Sequence, residues 1–211
     1  VEAPIKENLA AGIIKLSGWE PGQAFLDPMC GSGTFLIEAA LIATNQAPGL
    51  KRDFGFMAWK NFDQALYKDL KKSYQNAIVQ KDFLRIYGSD KDLRAVRVSK
   101  KNLVLAGFEN CIQLACKQFN EIKPPLDEGV MITNPPYGER IGEYEDLDNA
   151  YPDWARTLKQ SFAGWSTYFL TNDFRMPKLM RLAPSKKTPL FNGALDCRLF
   201  EIKMVAGSNR K

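Results

Sequence analysis

The sequence predicts an α/β domain built on a mostly parallel, doubly wound sheet that ends in a C-terminal antiparallel hairpin. Three observations carry that expectation. Short apolar runs alternate with helical patterns along most of the chain, the order that strand–helix–strand units require. Two of those runs end in an acid just before a helix begins, at Asp27 and Asp90. Near the C-terminus the pattern changes to strand, Asn192-Gly193, strand, and Asn-Gly is a strong hairpin signal.

The elements follow in order. Residues 8–16 read as an amphipathic helix ended near Gly18. Residues 23–27 form a short apolar run with an acid at its tip, a buried strand. Residues 34–44 are strongly helical. Residues 47–60 form a long loop with three aromatics, Phe54, Phe56 and Trp59, expected to pin the loop to the core, the alternative being that they stack on RNA. Residues 63–81 read as a polar helix with Leu66, Leu70, Tyr74, Ala77 and Ile78 on one stripe. A second strand covers 84–90, a helix 93–105 stops at Gly107, and strands follow at 112–116 and 129–133. Residues 153–161 are helical, 166–170 form a fifth strand, and residues 189–205 form the hairpin. No composition break divides the chain, so one domain, 1–211, is expected.

The 211 residues are 45% hydrophobic and 25% charged, an ordinary globular balance that argues against disorder. No uncharged run exceeds about a dozen residues, short of the roughly 18 of a membrane helix. The first residues show no signal-peptide pattern. There is no histidine, which excludes imidazole acid–base chemistry and histidine metal ligands within this chain. Four cysteines, Cys30, Cys111, Cys116 and Cys197, lack a C-x-x-C pair and read as reduced thiols of a cytoplasmic protein. No metal site and no membrane partner are expected. The net charge of +5 is compatible with a polyanionic partner.

The strongest local signal is residues 27–34, Asp-Pro-Met-Cys-Gly-Ser-Gly-Thr, between a strand and a helix. Gly31 and Gly33 allow a tight turn and close approach to a ligand. No Lys follows Gly33, so a triphosphate loop is disfavoured, and Leu36 breaks the G-x-G-x-x-G pattern. An acid before a glycine turn repels phosphate but accepts hydrogen bonds from an ammonium group. A nucleoside with a cationic tail, such as S-adenosylmethionine, suits it; the plain alternative is an ordinary strand–helix turn. Asp90, at the next strand tip, suits acceptance from two ribose hydroxyls; otherwise it is a helix N-cap. Asn134-Pro135-Pro136-Tyr137 follows the fourth strand. Its carbonyls and the Asn134 side-chain oxygen are acceptors, the prolines stiffen it, and Tyr137 supplies a flat face. Such a pocket suits a planar group bearing NH2, although Pro-Pro turns also occur as plain surface loops.

These three motifs in this order resemble the S-adenosylmethionine-dependent amino-methyltransferases of the Asn-Pro-Pro-Tyr group, Rossmann-like class I enzymes. Residues 3–19, 27–50, 52–56, 87–92, 134–140 and 192–197 sharpen the resemblance to the bacterial THUMP-linked methyltransferases of 23S ribosomal RNA guanine N2. The resemblance implies a cofactor site at Asp27, Cys30, Gly31, Gly33, Thr34 and Asp90, with Gln118 or Asn120 and Asn134 completing it. Gln118 stands where relatives usually carry an acid for the adenine amine. It implies catalytic roles for Asn134, Pro135 and Tyr137: Asn134 and the Pro135 carbonyl hold the amine, and Tyr137 stacks on the extruded base, so that Tyr137→Phe is mild. It implies in-line methyl transfer with ribosomal RNA as partner, and an RNA-binding THUMP portion upstream of this catalytic domain. The alternatives are N6-adenine methylation of DNA or RNA, glutamine methylation of a protein, and a catalytically inactive cofactor- and RNA-binding module. Basic residues at 51/52, 94/97/101 and 175–187 are solvated faces or phosphate contacts.

Overall fold

A computed structural model describes residues 5–137 and 143–206; the resemblance at residues 3–4 and 138–140 lies outside them. The chain order is α1 (Glu7–Leu16), β1 (Ala24–Asp27), α2 (Thr34–Ala43), α3 (Gln64–Asn76), β2 (Ile86–Asp90), α4 (Leu93–Ala106), β3 (Gln113–Cys116), β4 (Gly129–Thr133), α5 (Glu143–Ser161), β5 (Trp165–Thr171), α6 (Met176–Met180), β6 (Lys186–Asn192) and β7 (Leu195–Lys203). The strands form one seven-stranded sheet in the order β3-β2-β1-β4-β5-β7-β6. The first five are mutually parallel, and β7 runs antiparallel to both β5 and β6. The expected sheet and its edge hairpin are both present.

Alternating strand residues feed two cores, one on each face. Phe25, Ile86, Val130, Ile132 and Leu170 pack with Ala10, Ile13, Ile14, Leu36 and Leu103 of α1, α2 and α4. Ala24, Leu26, Met131 and Phe169 pack with Leu147, Tyr151, Leu158, Met176 and Met180 of α5 and α6. Helix α2 is buried on most of its surface, and it lies so close to β2 that a Cβ on Gly88 would stand 2.4 Å from Leu36 Cδ1. Only glycine permits that approach, and the approach fixes where the N-terminus of α2 meets the strand tips. The chain winds outward from β1 in one direction to β2 and β3 and in the other to β4 and β5, so a crevice opens beyond the carboxyl ends of β1 and β4.

Several expectations need correction. The fifth helix is far longer than residues 153–161, because Pro152 sits inside it rather than ending it. Helix α3 stops at Asn76, and none of its residues is buried. Its stripe of Leu66, Leu70 and Tyr74 is about half exposed and lines an apolar groove of 480 Å³ with Phe54, Phe56, Trp59, Phe62 and Tyr67. The loop aromatics therefore pack on one another and on α3, with Phe54 and Phe56 stacked at 5.3 Å, rather than pinning the loop to the main core. The cysteines form no disulfide. Among the described residues no helix is long and apolar enough to cross a membrane.

Candidate active site

The crevice is a cavity of about 580 Å³ whose walls bring together all three motifs. Asp27, Cys30, Gly31, Ser32 and Thr34 line it from the first turn, Asp90 from β2, Gln118 and Asn120 from the loop after β3, and Asn134, Pro135, Pro136 and Tyr137 from the loop after β4. Leu147, Ala150, Asp153 and Trp154 of α5 close a further side. Leu147 and Ala150 of that wall lie before the helix the sequence predicts, because Pro152 and the acidic residues ahead of it mask the helical period.

Asp27 ends a strand whose four residues are all buried, and is itself 2% exposed. Its Oδ1 accepts the Met29 N–H at 3.1 Å and the Thr133 hydroxyl at 3.0 Å. Burial pushes the carboxyl up to about 7, against those two hydrogen bonds. The carboxyl is thus poised between neutral and ionised forms, and a cation seated in the cavity would favour the ionised form.

The glycine turn is tied from three sides. Cys30 N–H donates to the Ser89 carbonyl at 2.9 Å, and Gly31 N–H donates to Asp90 Oδ2 at 3.0 Å. From behind, Ser99 Oγ donates to the Gly31 carbonyl at 2.8 Å and Asn102 Nδ2 to the Ser32 carbonyl at 2.9 Å. Both residues stand on α4, whose exposed Arg94 and Arg97 drew attention in the sequence while this inner face did not. Gly33 is absent from the cavity wall. It caps α2 in the left-handed region, at φ +84°, and a Cβ there would stand 3.0 Å from Ser99 Oγ. It makes the turn whose neighbours Gly31, Ser32 and Thr34 line the cavity. Cys30 is buried with its Sγ 3.6 Å from Ser99 Oγ, and burial pushes the thiol far above its ordinary range, so it stays protonated.

Asp90 is no N-cap: Asp92 caps α4 by accepting the Arg94 N–H at 2.8 Å. Asp90 instead holds the turn and, through Oδ1, the Asp92 N–H at 2.9 Å, and remains half-buried on the cavity wall. Each carboxylate oxygen retains a lone pair for a ligand. Gln118 and Asn120 both reach the cavity, so the structure leaves both beside any adenine-sized group.

The Asn134–Tyr137 loop carries a hydrogen-bond chain of its own. Tyr137 Oη donates to Asn134 Oδ1 at 2.5 Å and accepts from Asn192 Nδ2 at 2.9 Å. Its half-buried ring packs against the core cluster that contains Cys197 and Leu199. Burial raises the phenol above the ordinary tyrosine range, so it stays protonated. The hydroxyl thus joins Asn134 to Asn192, a connection the ring alone does not reveal. None of the basic residues between 175 and 187 lines the cavity; Arg175 pairs with Asp173 at 2.9 Å and with Asp148 at 3.0 Å.

Comparison with known proteins places this arrangement. A protein of Shewanella sp. (strain W3-18-1) named ribosomal RNA large subunit methyltransferase K/L is 40% identical over 215 residues, which span 100% of this chain and 30% of that protein. The chain thus spans less than a third of the curated relatives it matches. The structure of SMU.472 complexed with SAH is similar with a TM-score of 0.92 and 38% identity, over 99% of this chain and 55% of that one. A Listeria monocytogenes (str. 4b F2365) protein named "predicted N6-adenine-specific DNA methylase" is similar with a TM-score of 0.88 and 32% identity, over 97% of this chain and 52% of that one. The fold is therefore that of the Rossmann-like methyltransferases. The family model for the RMKL-like methyltransferase domain, UPF0020, matches residues 1–201, and the chain belongs to that family.

Proposed function

We propose that the chain carries S-adenosylmethionine-dependent methyl transfer to the exocyclic N2 amine of a guanine in 23S ribosomal RNA. The observation that carries this reading is the convergence of the acid–glycine turn, Asp90 and the Asn134–Tyr137 loop on one cavity. Its 40% identity to a protein named as a large-subunit ribosomal RNA methyltransferase supports the substrate.

The residues present fit the cofactor. The cavity has room for a nucleoside with a tail, and its glycine turn is held open by bonds to Asp90, Ser99 and Asn102. Asp27 suits an ammonium group, Asp90 the ribose hydroxyls, and Gln118 or Asn120 the adenine edge. Bound S-adenosylmethionine supplies an electrophilic methyl group. The chain's own task is to hold the target nitrogen in line with it, and such alignment is worth several kcal/mol of barrier, roughly 7–11 at the limit. Asn134 Oδ1 and the Pro135 carbonyl accept the two amine N–H groups, which draws the nitrogen lone pair out of conjugation with the ring and toward the electrophile. The methyl group would leave the sulfonium sulfur as its bond to the amine nitrogen formed; the methylated nitrogen is then acidic enough to give its proton to solvent, so no strong base is required.

The test is methyl incorporation into unmodified 23S ribosomal RNA, with the product nucleoside identified by mass. N2-methylguanosine is the expected product. N6-methyladenosine would overturn the choice of base, and absence of product from a chain that binds S-adenosylmethionine would mark an inactive binding module.

A further inference from the structure

Asn192 is an unusual hairpin residue. It opens the Asn-Gly turn between β6 and β7, where Gly193 takes φ +63°, yet its side chain is not turned to solvent; the residue is 8% exposed. Leu190 and Leu195, on either side of the turn, pack on the same core cluster as Tyr137. The hairpin end is thereby seated against the loop that follows β4.

What Asn192 donates has a consequence for polarity. Its Nδ2 gives a hydrogen to Tyr137 Oη, so that oxygen is an acceptor on this side. A phenol has one hydrogen, and here it goes to Asn134 Oδ1. The chain runs one way, from the Asn192 amide through the Tyr137 hydroxyl to the Asn134 oxygen. It fixes which end of the Asn134 carboxamide is oxygen, and it leaves that oxygen one more lone pair on a residue that lines the cavity.

We propose that Asn192 is a positioning residue: through the Tyr137 hydroxyl it sets the orientation of the Asn134 carboxamide and so presents its oxygen to the target amine. This rests on the reading of Asn134 as an amine holder. Asn192 is not among the residues that line the cavity. Its effect is on how often Asn134 is found in the productive orientation.

The test uses Asn192→Asp, which keeps the shape but can only accept, and so competes with Asn134 for the single phenol hydrogen. Asn192→Ala is the second variant. Both are expected to lower kcat about tenfold, the worth of one hydrogen bond acting at the reacting group. KM for RNA and affinity for S-adenosylhomocysteine should stay within about threefold. Tyr137→Phe should match them, and the Tyr137→Phe/Asn192→Asp double variant should be no slower than the slower single variant. Without any cofactor, the side-chain amide signals of Asn134 in a 15N-labelled sample should move in both single variants. Full kcat in Asn192→Asp, additive losses in the double variant, unmoved Asn134 signals, or a loss confined to cofactor affinity would each overturn the relay. Asn134→Ala separates the two levels. If it is inactive while Asn192→Asp is fully active, the relay alone is wrong; if it is fully active, the amine-holding role fails and the relay has no catalytic end.

Discussion

Replacing Asp27 with Asn should make the empty protein more stable above neutral pH and a poorer binder of its cofactor. Burial lifts the Asp27 carboxyl from 3.8 to about 7. The folded state therefore holds a proton there that the unfolded chain releases near pH 4. The stability contributed by that proton is complete below pH 4 and is lost as pH rises through 7. Three units at 1.36 kcal/mol each give an upper bound of about 4 kcal/mol. Asn keeps an oxygen to accept from Met29 and Thr133 and has no charge to desolvate. For a chain of this size such a gain raises Tm on the order of 10 °C. The assay is thermal unfolding of the wild type and Asp27→Asn from pH 5 to 8, in one buffer series. Glu38 is also pushed up to about 7 by burial, and its share is common to both proteins, so the difference between them isolates Asp27. The wild type should lose stability relative to the variant as pH rises. Parallel curves over that range would refute the reasoning. Calorimetry at pH 8 should show the variant binding S-adenosylmethionine at least tenfold more weakly, since the proposed ammonium partner is lost, about 1.5–3 kcal/mol for a charged hydrogen bond.

Three further outcomes are expected. Asp90→Ala should weaken S-adenosylmethionine binding at least tenfold by calorimetry, because it removes the proposed ribose acceptor and the anchor of the Gly31 N–H; unchanged affinity would take Asp90 out of the site. Asn134→Ala should leave that affinity within a few fold and lower single-turnover rate by about two orders of magnitude, as for an oriented donor–acceptor contact made in the transition state. Ser99→Ala should cost about 1 kcal/mol of cofactor affinity by releasing the Gly31 carbonyl, with little change in turnover once the site is saturated; an unchanged Kd would show that Asp90 and Asn102 hold the turn without it.

The parallel sheet was legible because its strands are short apolar runs ended by acids, and because helices such as residues 34–43 are flanked by a glycine turn. The positions of Asp27, Asp90 and Asn134 at strand tips followed from the same pattern, and the cavity contains all three. The helix ending at Ser161 was half hidden, since a proline within a helix looks like a stop signal unless packing compensates for the missing hydrogen bond. Ser99, Asn102 and Asn192 were illegible for another reason. Each acts on a residue at least 55 positions away, and nothing in local period or turn chemistry marks a side chain that bonds across the fold. Tyr137 was read by its ring, because sequence shows a residue type and not which of its atoms is buried.

Helix α3 and the aromatic loop before it form a unit with its own small apolar contacts, tied to the ends of α2 and α4. The ties are specific: Val79 N–H to the Thr44 carbonyl at 2.8 Å, Asn45 Nδ2 to the Ala77 carbonyl at 3.1 Å, and Lys51 to the Ala106 carbonyl at 3.5 Å. Its two ends are tied together close to where it leaves and rejoins the fold. The segment between can therefore open as one cooperative piece while both cores stay shut. In hydrogen exchange its amides would report a free energy well below that of the strand amides, and a nick there would leave the strand tips, and the cavity they build, in register.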